Sequence, residues 1–176
     1  MRKHIHVGDL VIGREEKKAI DEVLNFGRIS EGRKTRKFEQ EWAQFIGAKY
    51  CVATSSGAGA LITGLTALKY LYKLDNRFKV ITTPLTYIAD VSALSVVGFE
   101  PVFVDIDAIT FCITPEAIEE HLKNASSRND YGIILVVDLM GYSVKLDEIR
   151  KIAKRYNLIV LEDAAQAHGT IYQGKK

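Results

Sequence analysis

Two adjacent carboxylates, Glu162 and Asp163, close the apolar run Leu158-Ile159-Val160-Leu161, and Ala164-Ala165-Gln166-Ala167-His168-Gly169 follows. Neighbouring residues on a strand project to opposite faces, so one of the two carboxylates faces any site at the strand end. A carboxylate held there keeps a pyridine nitrogen protonated by charge pairing and hydrogen bonding. Gln166 can donate a hydrogen bond to a phenolate oxygen of the same ring. His168 reads as a structural, hydrogen-bonded histidine.

Three further run ends carry polar groups. Thr54-Ser55-Ser56-Gly57-Ala58-Gly59 follows Tyr50-Cys51-Val52-Ala53 and opens a long helix. Free amides and the helix dipole make such a turn an anion site suited to a phosphate. It is neither a Walker loop nor a GxGxxG fingerprint, and a bare strand-to-helix turn uses the same residues. Tyr87 starts the next helix, where its ring either lies on a planar ligand or packs in the core. Asp138 follows a further apolar run and reads first as a turn cap, second as a site residue. His4 and His6 alternate on an N-terminal arm without a third ligand, so no metal site is expected. Asp105 and Asp107 read as turn formers, not a magnesium pair. His121 lies on a charged helix face and is expected to be solvated.

Composition bounds the alternatives. The 176 residues are 47% hydrophobic and 26% charged, with a formal net charge of +2. That is a globular balance with no electrostatic footprint for nucleic acid. The basic clusters Arg33-Lys34, Arg36-Lys37 and Lys175-Lys176 read as solvated surface. Cys51 and Cys112 form no CxxC pair and no zinc spacing, and Cys51 reads as a small buried hydrophobe. No apolar stretch reaches membrane-spanning length and no signal-peptide core is seen, so a cytoplasmic protein is expected.

The elements that must position these residues follow from periodicity. Helices are expected over Arg14–Phe26, through Phe38, Trp42, Phe45 and Ile46 to Gly47, and over Gly59–Leu74, Tyr87–Val97, Pro115–Ala125 and Leu146–Tyr156. Strands are expected at Tyr50–Ala53, Val80–Thr82, Pro101–Val104, Ile133–Val137 and Leu158–Leu161. Thr114 is a natural N-cap ahead of Pro115, and Gly27 and Gly98 can end helices. Short strands apolar on both faces mark a mostly parallel sheet, covered by helices on each side. The pattern is a doubly wound, three-layer α/β/α sandwich, in which ligands sit beyond the carboxyl ends of the strands.

Taken together, GRISEG (27–32), ATSSGAGAL (53–61), TTPLTYIADVSAL (82–94), PVFVDID (101–107), VVDLMGY (136–142) and VLEDAAQAHG (160–169) resemble the DegT/StrS-type sugar aminotransferases. The resemblance implies an aspartate aminotransferase-like large domain that binds pyridoxal 5'-phosphate (PLP). It assigns Asp163 to the pyridinium nitrogen, Gln166 to the ring's 3-hydroxyl oxygen and Tyr87 to one ring face. Ser56, Gly57 and Ala58 fall to the phosphate, with Ala58 standing where the family commonly has Thr or Ser. Similar enzymes move an amino group, commonly from glutamate, to a nucleotide-linked keto sugar. They work as homodimers, with GRISEG near the subunit interface.

The same resemblance sets the expected organisation. Residues 1–32 form an N-terminal arm and helix, and residues 33–176 an incomplete large domain. In this family the lysine that forms a Schiff base with PLP lies beyond EDAAQAHG, after another strand. Lys175 and Lys176 follow a strand entering a turn and do not match it. The catalytic lysine and the C-terminal small domain are therefore expected to be absent from these residues. The chain alone is expected to be incompetent in transamination, and its uncovered apolar surface to favour association. Three rivals are a PLP-dependent sugar dehydratase with histidine in place of that lysine, a non-catalytic remnant or interaction subunit, and a nicotinamide-dependent oxidoreductase. The last lacks its glycine fingerprint.

Overall fold

A computed structural model describes residues 11–175. Its core is a four-stranded, wholly parallel sheet in the order β2-β1-β3-β4. The strands are β1 (Lys79–Thr82), β2 (Glu100–Phe103), β3 (Tyr131–Val137) and β4 (Ile159–Asp163). Parallel neighbours need a crossover, and a helix supplies each one. These are α4 (Ile88–Val97), α5 (Pro115–Asn124) and α6 (Leu146–Tyr156). Three helices precede the sheet: α1 (Arg14–Phe26), α2 (Arg33–Ile46) and α3 (Gly57–Tyr72).

The two faces of the sheet carry separate cores. Leu65 of α3 and Ala93 and Leu94 of α4 pack on Ile133 and Leu135. Ile118 and Leu122 of α5 and Ile149 and Ile152 of α6 pack on Ile134 and Val136. The alternation along β3 sends successive side chains to opposite cores, so all seven of its residues are buried. The three-layer α/β/α expectation therefore holds.

Local chemistry explains the element ends. The Thr114 side chain accepts from the Ala117 amide and Pro115 stands at the first helical position. Gly27, Gly47 and Gly98 end their helices with left-handed backbone. Asp107 Oδ1 gathers the amides of Ile109 and Thr110 and the Thr110 hydroxyl, so this acid is a turn former.

Several expectations need correction. Tyr50–Ala53 is not a strand: it pairs with neither sheet edge, and Tyr50 and Val52 are 75% and 73% exposed. A strand exists only through a ladder partner, whatever its propensity. The Ala53 amide instead donates to Glu39 Oε1 at 2.8 Å. Among the described residues the apolar stripe of α1 packs on no part of the sheet core and meets only the segment after it, where Arg33 lies over the Phe26 ring at 4.5 Å, leaving Ile20, Leu24 and Phe26 exposed. Cys51 is only half-buried, whereas Cys112 is enclosed. His121 is half-buried and its Nε2 lies 2.8 Å from the Tyr131 hydroxyl, so it is not a free surface group. His4 and His6 lie outside the described residues.

Candidate functional site

The chain reverses its direction of travel through the sheet between β1 and β3, since β2 lies to one side and β3 to the other. A crevice at the carboxyl ends of the strands belongs at such a switch point. Four segments supply polar groups there.

The first is the start of α3. This helix ends at Tyr72, and Arg77 just beyond it donates from Nε to the Tyr131 carbonyl at the start of β3. The N-terminus of α3 therefore lies toward the carboxyl ends. Ser56 is its N-cap, with Oγ accepting from the Gly59 amide at 3.1 Å. The amides of Gly57 and Ala58 stand at the first two helical positions and have no carbonyl one turn back. An added Cβ on Gly57 would meet nothing within 4 Å. A bare amide pair at the positive end of a helix dipole fits a phosphate.

The second is the start of α4. Tyr87 is the residue before the helix and is 72% exposed. Its ring is therefore not core packing, which leaves it free to cover a planar ligand. One turn on, Asp90 is 0% exposed. Its Oδ2 accepts from the Thr86 hydroxyl, while its Oδ1 has no hydrogen-bond partner.

The third is the end of β4. Ile159 and Leu161 belong to the α3–α4 side and Val160 to the α5–α6 side. By the same alternation Asp163 faces α3 and α4, and Glu162 faces away. Asp163 is the neighbouring carboxylate whose charge acts on Asp90. Burial first, and Asp163 with it, push the Asp90 carboxyl up to about 6, against the Thr86 hydroxyl, which favours the anion. Asp163 Oδ1 also accepts from the Ala165 amide at 2.8 Å, which fixes its carboxylate over the turn.

The fourth is Gln166. Its Oε1 accepts from the Met140 amide at 2.8 Å. The acceptor end is thereby fixed, and the two N–H bonds of Nε2 remain for a ligand oxygen. His168 packs edge-on to Trp42 at 5.2 Å between centroids and is exposed, so it makes a ring contact rather than the hydrogen-bonded structural role expected of it.

Glu162 belongs to a different place. It lines a cavity of about 320 Å³ on the α6 face, with Asp138, Arg150 and Tyr172. Desolvation and the adjacent Asp138 push its carboxyl up to about 7, while Arg150 pulls it down. Glu162 remains open to solvent, so this shift counts for little in folding energy. Asp138 is buried and its Oδ1 accepts from the Val144 amide at 2.9 Å, which makes it the turn cap expected.

The fold thus brings Ser56, Gly57, Ala58, Tyr87 and Asp163 to one edge of one sheet face, with Gln166 on the turn after β4. An acid for a ring nitrogen, a donor for a ring oxygen and an anion cradle are the set that PLP requires. Asp90 escaped the sequence reading. Its signal was available: it is the one charge in the helix IADVSALSVV, four residues after a hydroxyl. Among the described residues no three His, Cys, Asp or Glu side chains converge on a metal position. No helix among them is long and apolar enough to cross a membrane.

Comparison with known proteins identifies the family and the fold. The sequence model of the DegT/DnrJ/EryC1/StrS aminotransferase family matches residues 11–176. A dTDP-3-amino-3,6-dideoxy-alpha-D-galactopyranose transaminase from Aneurinibacillus thermoaerophilus is 39% identical over 163 residues, 93% of this chain and 42% of the relative. The crystal structure of an aminotransferase from Psychrobacter cryohalolentis superposes with a TM-score of 0.84 at 34% identity, over 94% of this chain and 40% of that one. An E. coli GDP-4-keto-6-deoxy-D-mannose-3-dehydratase with bound hydrated PLP superposes with a TM-score of 0.85 at 29% identity, over 96% of this chain and 42% of that one. The chain therefore spans about two fifths of the length of these relatives.

Proposed function

The chain belongs to the DegT/DnrJ/EryC1/StrS aminotransferase family, and from that premise we propose that it is the cofactor-binding front part of a PLP-dependent enzyme. That enzyme transfers an amino group from an amino acid, glutamate in our reading, to a nucleotide-linked keto sugar. The observation that supports the proposal is the alternation along β4: Ile159 and Leu161 pack on the α3–α4 side, and Asp163 shares their face. The relative from A. thermoaerophilus, a dTDP-sugar transaminase by name, supports the substrate class.

Each residue has a defined task. The amides of Gly57 and Ala58, with the Ser56 turn, hold the phosphate at the positive end of α3. Ala58 brings no hydroxyl, so the phosphate is held by backbone. Asp163, as an anion, holds a proton at the ring nitrogen. Gln166 Nε2 donates to the ring's hydroxyl oxygen and sets the in-plane angle. Tyr87 covers one ring face and keeps water from it. PLP, when bound, supplies an electron sink for the pair released as the amino donor loses its α-proton. We assign the lysine that links to PLP, the small domain, a homodimeric assembly and a cytoplasmic location to the whole protein.

A second reading, a PLP-dependent sugar dehydratase, is favoured by one observation: the dehydratase fold superposes on this chain as well as the aminotransferase does. The deciding experiment uses the protein from its native source. Borohydride reduction followed by intact mass should give a mass well above 19.7 kDa carrying one PLP. Unreduced protein with glutamate and a dTDP-linked keto sugar should then yield the amino sugar. A deoxy sugar without nitrogen would select the dehydratase, and a 19.7 kDa mass without adduct would remove both.

A further inference from the structure

Asp90 carries more than a helix start requires. It is fully enclosed in the first turn of α4, the helix that packs beside α3. One carboxyl oxygen accepts from Thr86, and the other, Oδ1, is buried without a partner. Buried oxygens are nearly always satisfied, so an orphan marks a missing proton or group. Among the described residues the groups that act on Asp90 are Thr86, in the turn before α4, and Asp163, at the end of β4. Among the described residues no lysine, arginine or histidine is among the groups that act on it. A buried carboxyl beside a second carboxylate favours its protonated form.

We propose that Asp90 is a positioning residue for Asp163: it retains the pair's proton, donates it from Oδ1 to the Asp163 carboxylate, and so leaves Asp163 as an oriented anion facing the ring nitrogen. The proposal rests on the PLP reading above. It adds a residue that touches neither cofactor nor substrate and that acts through the orientation of the one that does. The arrangement keeps a single negative charge at the site. That charge is the one the pyridinium neutralises, so the ring cation meets one anion rather than two.

The test is a titration of PLP into the full chain, followed by the cofactor's visible absorbance, for wild type, Asp90→Asn, Asp90→Ala and Asp163→Asn. Asparagine retains an N–H donor where the proton of Asp90 stands, whereas alanine has none. Asp90→Asn should bind PLP within about threefold of wild type, and Asp90→Ala should bind about tenfold more weakly, the usual scale of one lost buried hydrogen bond. Equal binding by Asp90→Ala and wild type would overturn the positioning role. Equal loss in Asp90→Asn and Asp90→Ala would overturn the proton assignment. Unchanged binding in Asp163→Asn would instead remove the underlying ring reading, and no binding by wild type would remove both. Where Asp90→Ala does not fold, the carboxyl carbon resonance of Asp90 in wild type without PLP decides. It should still report a protonated group at about pH 5, where a free aspartate is ionised. An ionised signal there would end the proposal.

Discussion

Glu162 and Asp163, one peptide bond apart, open onto opposite sides of the sheet: Asp163 acts on Asp90 beneath α4, and Glu162 faces Asp138 and Arg150 beneath α6. A strand end converts adjacency in sequence into separation in space. Their substitutions should therefore separate completely. Asp163→Asn should weaken PLP binding by about tenfold or more, the cost of losing one charge-assisted hydrogen bond. Glu162→Gln should leave it within about twofold of wild type. Absorbance titration of the two variants checks both, and a comparable loss in each would mean that the assignment of faces is wrong.

Stability should depend on pH through Asp90. Its folded value of about 6 lies above its ordinary 3.8, so the folded state holds a proton that the unfolded chain releases. The sign is then fixed: this contribution is intact below about 3.8 and is lost as pH rises through about 6. The shift amounts to roughly 3 kcal/mol at most. Glu162 titrates in the same sense, so the contrast with Asp90→Asn isolates the Asp90 part. Urea midpoints at about pH 5 and about pH 7.5 should converge for Asp90→Asn relative to wild type. A wild type that becomes more stable across that range, with the variant following it, would contradict the assignment.

Ser56 serves the helix before it serves any ligand. Its Oγ caps the Gly59 amide, so Ser56→Ala should cost about 1 kcal/mol of stability. Ser56→Asp, which caps equally well, should restore stability but repel a phosphate. Chemical denaturation and PLP affinity, measured on both variants, should move independently. Joint movement would show that capping and anion binding are one function of this residue.

Gly132 near the start of β3 has no room for a side chain. An added Cβ would stand 2.5 Å from the Arg77 carbonyl oxygen, which is backbone and cannot swing aside. Gly132→Ala should cost about 2 kcal/mol or more, at the upper part of the range for overpacking. Gly64, on the open side of α3, meets nothing within 4 Å, and alanine there should be neutral or stabilising. Thermal melts of the pair check the contrast.

Much of this was legible in the sequence. The apolar runs of β3 and β4, the cap at Thr114 and the 146–156 helix follow from local rules, and the structure repeats them. Asp138 was readable as a turn cap because a short acid after a strand bonds nearby amides. What sequence could not supply was partnership. Tyr50–Ala53 has strand composition, yet its status depends on a neighbour that local pattern does not encode. The burial of Asp90 escaped for the same reason: its environment comes from β4, more than seventy residues away in the chain. His121 read as solvated because its helix is charged, but Tyr131 reaches it across the turn.

The bond from Glu39 to Ala53 has a kinetic meaning. It ties the approach to α3 to the N-terminal helices, while the body of α3 is tied to α4 and the sheet. The approach to α3 should therefore open without disturbing β3. Amide hydrogen exchange should show two classes. Residues 50–56 should exchange through a local opening that urea barely accelerates, and residues 133–137 only through global unfolding. A single exchange class across both segments would mean that the cradle and the sheet unfold as one unit.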